Sequence, residues 1–319
     1  MNEMTLEELY QYHGTNPKPD DFDEFWDLRM KEVNSFPLNY EIKPSEMSPN
    51  MDCIMEELWF DSIDHGKVHA KYLHRPSKEK QPLILQFHGY PGASRSWFEL
   101  ASFVGLGYSV IAMDCPHQGG KGRDHTLVES TLMGGMLVSG IDGDPKNMYY
   151  VRQFQNIGIL CRIVERLEEI DQNRIYANGA SQGGGLTIAC AALNPKINRA
   201  AVLYPFLSDY QRVWNLNLDG VAYEGLRYYT RWFDPMKEHH QEVFTKLGYI
   251  DVHHLASRIR CEVLFGSGLK DIYCPVSTQF AVYNQLKAPK KHVLFPDYAH
   301  EEIPAFDDLL IRFFHRGAK

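Results

Sequence analysis

From residue 82 onward the chain alternates short, nearly continuous apolar runs with segments of helical periodicity, and that alternation limits the folds open to it. Pro82 to Phe87 and Tyr108 to Asp114 are strand-sized runs with few polar interruptions, as expected of strands covered on both faces. A helical pattern follows, with Ile157, Leu160, Val164 and Leu167 at steps of three and four and Glu165, Arg166, Glu168 and Glu169 opposite. Strand Arg174 to Asn178, helix Gly183 to Leu193 and strand Arg199 to Tyr204 come next. Strand Cys261 to Phe265, a helix near Pro275 to Leu286, strand His292 to Phe295 and helix Ile303 to Phe314 close the chain. Such an order predicts an α/β fold with a mostly parallel central sheet and helices on both faces.

Two further regions frame this unit. Residues 1–80 read as an N-terminal extension. It holds a helix opened by the capping box Thr5-x-x-Glu8, a helix over Asp21 to Val33, and an antiparallel hairpin over Cys53 to His74 that turns at Asp64 to Gly66. Residues 209–258, rich in Tyr, Trp, Phe and His, interrupt the alternation and read as a cap-like insertion. No linker composition or repeat divides the 319 residues, so one elaborated domain is expected.

Composition excludes several roles. With 44% apolar and 13% aromatic residues the chain is too rich in core formers to be disordered. Its 33 basic and 41 acidic side chains give a net charge of −8, with no Lys/Arg run to grip a phosphate backbone, so no nucleic-acid partner is expected. No stretch approaches the length of a membrane span, and the acidic N-terminus has no apolar core of a signal. Six scattered cysteines without a C-x-x-C pair read as buried free thiols. A cytoplasmic location is the expectation.

The chemistry is concentrated in Gly179-Ala180-Ser181-Gln182-Gly183, a G-x-S-x-G pentapeptide between a strand and a helix. A nucleophilic serine needs that tight turn to stand at the sheet edge, and the following helix N-terminus offers a free amide to an oxyanion. A second donor is expected from the loop His88-Gly89-Tyr90-Pro91-Gly92, so the amides of Tyr90 and Gln182 are the candidate oxyanion hole. Serine also needs a base held by an acid, in the chain order Ser, Asp/Glu, His. Of Asp209, Asp271 and Asp297, Asp271 lies in the loop after the Cys261 strand, and His300 lies between the last strand and the last helix. Asp297 reads as a turn residue, and His239-His240 and His253-His254 as surface or packing residues. Tyr204, Phe206, Tyr210 and Trp214 are candidates for a short acyl pocket, or for ordinary packing. There is no H-E-x-x-H, no Cys/His cluster at ligand spacing and no dinucleotide or phosphate loop, so neither metal nor cofactor is expected.

These motifs resemble a known family. His88-Gly89-Tyr90, Gln118-Gly119-Gly120 after Asp114, Gly179 to Gly184, Asp271 followed by Cys274-Pro275-x-x-Thr278, and His300-Glu301 are together similar to the acetyl xylan esterase/cephalosporin C deacetylase family, carbohydrate esterase family 7. Phe25, Trp26 and Asp27 in the Glu24-to-Met30 region match its start, so the resemblance spans nearly the whole chain. It implies an α/β-hydrolase that removes acetyl groups from xylo-oligosaccharides and cephalosporin C. Ser181 would be nucleophile, His300 base and Asp271 acid, with no cofactor, in a cytoplasmic, ring-like homo-hexamer. One departure stands out: the family's Arg-Gly-Gln reads Pro116-His117-Gln118 here, keeping Gln118 as the supporting residue and losing the arginine. Two other readings stay open. One is another small-acyl hydrolase (esterase or peptidase); the other is a catalytically inactive scaffold or binding protein on the same fold.

Overall fold

The computed structural model describes residues 4–47, 52–125, 135–220 and 222–316. Nine strands make one sheet: β1 (Tyr40–Pro44), β2 (Ile54–Asp61), β3 (Lys67–His74), β4 (Gln81–Phe87), β5 (Ser109–Met113), β6 (Ile170–Ala180), β7 (Arg199–Leu203), β8 (Glu262–Gly268) and β9 (Lys290–Phe295). Their spatial order is β1-β2-β3-β5-β4-β6-β7-β8-β9. The contacts among β1, β2, β3 and β5 are antiparallel, and those from β5 to β9 are parallel. This is an α/β-hydrolase sheet. The continuous apolar runs become its most enclosed strands, β4 and β5. Pro82, which lacks an amide for the ladder, sits where the β4–β6 register shifts between Gln81 and Leu83.

Eleven helices among the described residues cover the sheet and its ends: α1 (Leu6–Gln11), α2 (Phe22–Ser35), α3 (Trp97–Gly105), α4 (Tyr149–Val164), α5 (Gln182–Leu193), α6 (Tyr210–Asn215), α7 (Glu224–Phe233), α8 (His240–Gly248), α9 (Val252–Ala256), α10 (Val276–Gln285) and α11 (Pro304–His315). Both sides of the Thr5–Glu8 capping box are made. A second box, Ser96 with Glu99, opens α3. Neither α3 nor β1 was anticipated from the sequence.

Helix α4 differs most from its amphipathic pattern. It starts eight residues before Ile157, stops short of Leu167, and is buried almost all round, including Arg152, Gln153, Gln155 and Asn156. These polar groups have partners. Arg152 meets Asp64 and Asp124 at 3.4 and 2.8 Å, and the Asn156 carbonyl accepts from Ser62 and the Ile63 amide. The polar stripe of α4 therefore fastens the turn after β2 to the core, which a solvent-face reading misses. Three cysteines, Cys53, Cys161 and Cys261, are only partly buried, and all six carry free thiols.

The segment between β7 and β8 divides by role. Helix α9 packs against α5 and α10 as part of the body. His253 and His254 lie within it, the first buried and the second partly buried, with His253 Nδ1 2.6 Å from Asp251. Leu218, Asp219, Gly220, Ala222 and Tyr223, before α7, instead help to wall a cavity that also holds Ser181 and His300.

Candidate active site

Ser181 stands between β6 and α5 with φ +58° and ψ −122°, a backbone conformation that a side chain adopts only under strain. Its surroundings hold it there. The Ser181 amide donates to Leu203 O at 3.1 Å, and its carbonyl accepts from Gly185 and Phe206 amides at 3.1 and 2.9 Å. The elbow glycines are forced by contact: a Cβ on Gly183 would lie 2.1 Å from Phe87 O, and one on Gly179 2.4 Å from the Gly183 backbone.

His300, in the loop between β9 and α11, has Nε2 3.0 Å from Ser181 Oγ. Its Nδ1 lies 2.8 Å from Asp271 Oδ2. Asp271, just past β8, is buried and anchored: Oδ1 accepts from the Tyr273 and Cys274 amides at 2.9 Å each, and Oδ2 accepts from Gln279 Nε2 at 3.3 Å. The alternatives lie elsewhere. Asp209 is buried under the N-terminal segment, and Asp297 is exposed and paired with Lys270 at 2.7 Å.

Around this row opens a cavity of 440 Å³, walled by Tyr90, Phe206, Leu218, Tyr223, Tyr273 and Cys274 among others, with Ser181 and His300 at its side. The Cys274 thiol has its pKa pushed well up by burial and by the charge of Asp271, so it is neutral. Asp271, Cys274 and His300 have donor atoms within 4.8 Å of one another, as do Asp251, His253 and His254. In both groups the carboxylate is already hydrogen-bonded to a histidine ring.

Gln182, the first residue of α5, has an N–H with no partner within the helix. Its side chain is fully buried in a closed polar network. Gln182 and Gln118 exchange two amide hydrogen bonds of 2.8 and 2.9 Å, Tyr150 donates to Gln182 Oε1 at 2.7 Å, and Gln182 Nε2 donates to His88 O at 3.3 Å. The elbow is thereby tied to the loops after both β4 and β5.

The sequence profile of the acetyl xylan esterase family matches residues 1–316. The chain belongs to that family. It is a carboxylic ester hydrolase of the acetyl-removing kind. Acetyl xylan esterase 1 from Thermoanaerobacterium sp. JW/SL YS485 is 41% identical, with a TM-score of 0.95 over 98% of each chain. An acetyl xylan esterase from Paenibacillus sp. R4 is 30% identical, with a TM-score of 0.93 over 98% of this chain and 99% of its own. Acetyl esterase Axe7A of Xylanibacter ruminicola is 25% identical across 93% of this chain and 69% of its own length.

Where the family resemblance leads one to expect Arg-Gly-Gln, the loop after β5 reads Pro116-His117-Gln118 and is held by contacts of its own. Pro116 O accepts from Tyr149 at 2.6 Å, and His117, at φ +64°, has Nε2 3.2 Å from the Asp124 amide. The Asp114 carboxylate is held by His69 Nδ1 at 2.6 Å and by the Ser94 amide at 2.7 Å. Although burial works to raise its pKa, these partners hold it well below the ordinary carboxylate range.

The four aromatic candidates separate. Phe206 lines the cavity. Tyr210 does not; it is fully buried in the main core. Trp214 also stands away from the cavity, packed on His240 and Phe244 with the Arg227 guanidinium 3.7 Å from its ring. Tyr204 lies against the His300 ring rather than in the cavity wall. The acyl-pocket expectation is thus corrected for Tyr204, Tyr210 and Trp214. Tyr223 and Leu218 take their places in the wall, and no local motif distinguishes them. Cys274 could have been found from its spacing of three after Asp271, which brings its side chain back to the acid.

Proposed function

We propose that this protein is a serine esterase that removes acetyl groups from acetylated sugars through an acetyl-Ser181 intermediate. The observation that carries this reading is the single imidazole spanning Ser181 and Asp271 at 3.0 and 2.8 Å. His300 takes the serine proton as Oγ attacks the acetyl carbonyl, Asp271 stabilises the resulting imidazolium, and His300 then protonates the departing sugar oxygen. Water repeats the sequence on the acetyl-enzyme. The amides of Tyr90 and Gln182 hold the oxyanion, each contributing on the order of 3 kcal/mol to the transition state. Phe206, Tyr223 and Cys274 supply the wall for the methyl group.

Similarity to acetyl xylan esterases along almost the full chain favours xylo-oligosaccharides, with cephalosporin C-like esters as further substrates. Exposed Trp232, Phe233, Met236 and Ile272 suit assembly into a homo-oligomer, for which the family resemblance implies a hexamer. Six free thiols suit a reducing cytoplasm. No helix among the described residues is long and apolar enough to cross a membrane.

The test is hydrolysis of p-nitrophenyl esters of increasing chain length, together with acetylated xylo-oligosaccharides, other acetylated sugars and cephalosporin C. Acetate turned over well ahead of octanoate, with Ser181→Ala inert and unlabelled by a fluorophosphonate probe, is the expected result. Comparable octanoate turnover overturns the small-acyl reading, and an active Ser181→Ala overturns the nucleophile. Wild-type protein that is folded yet neither labels nor hydrolyses any ester is a scaffold instead.

A further inference from the structure

We propose that Tyr204 is a positioning residue for the base of this reaction, holding the His300 loop in register with Ser181 without itself touching the substrate. The inference rests on the assignment of Ser181 and His300 given above.

Tyr204 is the first residue after β7, the strand beside the elbow. Its hydroxyl donates to the main-chain oxygen of Glu301 at 2.7 Å, fixing the Glu301–Glu302 peptide, one residue past His300. Its ring centroid lies 4.6 Å from that of His300. One side chain thus restrains the base both through its ring and through the backbone carrying it. The residue accepts strain to do so, with φ at +31°, a value at which a side chain is held only by its surroundings. From the other side, the Tyr204 amide donates to Gly266 O at 2.8 Å. Gly266 belongs to β8, which leads to Asp271. Tyr204 therefore links the strand beside the nucleophile, the strand carrying the acid and the loop carrying the base.

The loop's other ties are short-range or exposed. Ala299 N donates to the Glu301 carboxylate at 3.1 Å, Tyr298 N to Phe295 O at 3.3 Å and Lys270 N to Tyr298 O at 2.9 Å. The Lys270 ammonium pairs with exposed Asp297 at 2.7 Å. The remaining aromatic neighbour of the imidazole, Tyr273, is more than half exposed. Tyr204 is 5% exposed, and burial first, then the Asp271 charge, pushes its hydroxyl pKa up. The hydroxyl keeps its proton and acts only as a donor. Tyr204 is absent from the wall of the 440 Å³ cavity and instead borders a small space behind the elbow with Gln86, Asn178 and Ile303. A role through His300 should therefore appear in the chemical steps and not in substrate binding.

Tyr204→Phe deletes one oxygen and keeps the ring. Rates are normalised to active sites titrated with a fluorophosphonate, so that any unfolded fraction drops out. With p-nitrophenyl acetate, kcat is expected to fall about 10-fold, the scale of one hydrogen bond, with KM within about twofold of wild type. The rate of fluorophosphonate labelling should fall by a similar factor, because the same base activates Ser181. Glu301→Ala, an exposed change that frees the Ala299 amide, should show the same pattern at about two- to threefold. Wild-type kcat in Tyr204→Phe overturns the proposal, as does a raised KM at unchanged kcat, which would make Tyr204 a binding wall. An active Ser181→Ala removes the assignment underneath. An inert Ser181→Ala with Tyr204→Phe at wild-type rate removes the positioning role alone.

Discussion

At the scale of single residues, two kinds of necessity meet at the elbow, and only one leaves a trace in the sequence. Gly179 and Gly183 are dictated by contact, since any side chain there would enter the neighbouring backbone. Their spacing around Ser181 is therefore readable without coordinates. Gly183→Ala should shift β4 against α5 and displace the serine, costing at least 2–3 kcal/mol of stability and most of the activity. Thermal unfolding and p-nitrophenyl acetate assays check both. Aromatic side chains carry no such mark. Phe206 on the cavity, Tyr204 behind the histidine and Tyr210 in the core are the same kind of residue at nearby positions, and only the turn after β7 sends them different ways. Gln118 lies between these cases. Its value depends on Gln182, whose buried amide would lose two of its four hydrogen bonds in Gln118→Ala. Such loss costs about 1–3 kcal/mol. If the Gln182 amide serves the oxyanion, kcat for acetate esters should fall more than KM rises. A stable variant with unchanged kcat would detach the Gln118 loop from catalysis.

At the scale of elements, the parallel strands were legible because burial on both faces leaves continuous apolar runs, whereas β1, with its mostly exposed side chains, leaves none. Helix α4 misled for the opposite reason: its polar residues are buried against partners distant in sequence. The N-terminal segment shows the same long-range dependence. Asp209, one of three carboxylates weighed for the catalytic acid, is a buried clasp. Its carboxylate accepts from the Tyr12 hydroxyl at 2.6 Å, the Thr15 amide and hydroxyl at 3.0 and 3.1 Å, and the Asn16 amide at 3.0 Å. Asn284 adds bonds from α10 to Leu9 O and Tyr12 O. Asp209→Ala leaves those donors unpaired, a loss of about 3 kcal/mol or more by analogy with broken buried polar networks. Proteolytic nicking and fast hydrogen exchange should then concentrate between Leu6 and Pro17. The triad distances do not involve Asp209, so the surviving folded protein should retain esterase activity. Protection of that segment equal to wild type would show that α1 packing alone holds it.

For the molecule as a whole, histidines wholly or partly buried set how stability answers to acid. Burial is the main cause in each case: His254 is lowered to about 4, with help from His253, and His292 to about 3, with help from Lys290. His88 and His240 are lowered in the same sense, again chiefly by burial. A histidine held neutral in the fold binds its proton only after unfolding, so the unfolded chain gains protons as pH drops through about 6.5. The stability these groups preserve is complete above that value and is lost steadily as pH falls toward 4. His253 opposes this. Burial works to lower its pKa, but Asp251 raises it overall, so its contribution is present in acid and lost as pH rises. With four histidines against one, Tm should drop between pH 7.5 and 5.5, a range in which ordinary carboxylates remain ionised. The loss should be about 1 kcal/mol each for His254 and His292 by pH 5.5. His292→Asn and His254→Asn should each flatten that slope, whatever they do to Tm at pH 7.5. Their effects should add, because His254 packs against Phe22 and His292 against Phe280 and Tyr283, in separate parts of the molecule. Wild-type slope in the double variant would move the acid sensitivity elsewhere.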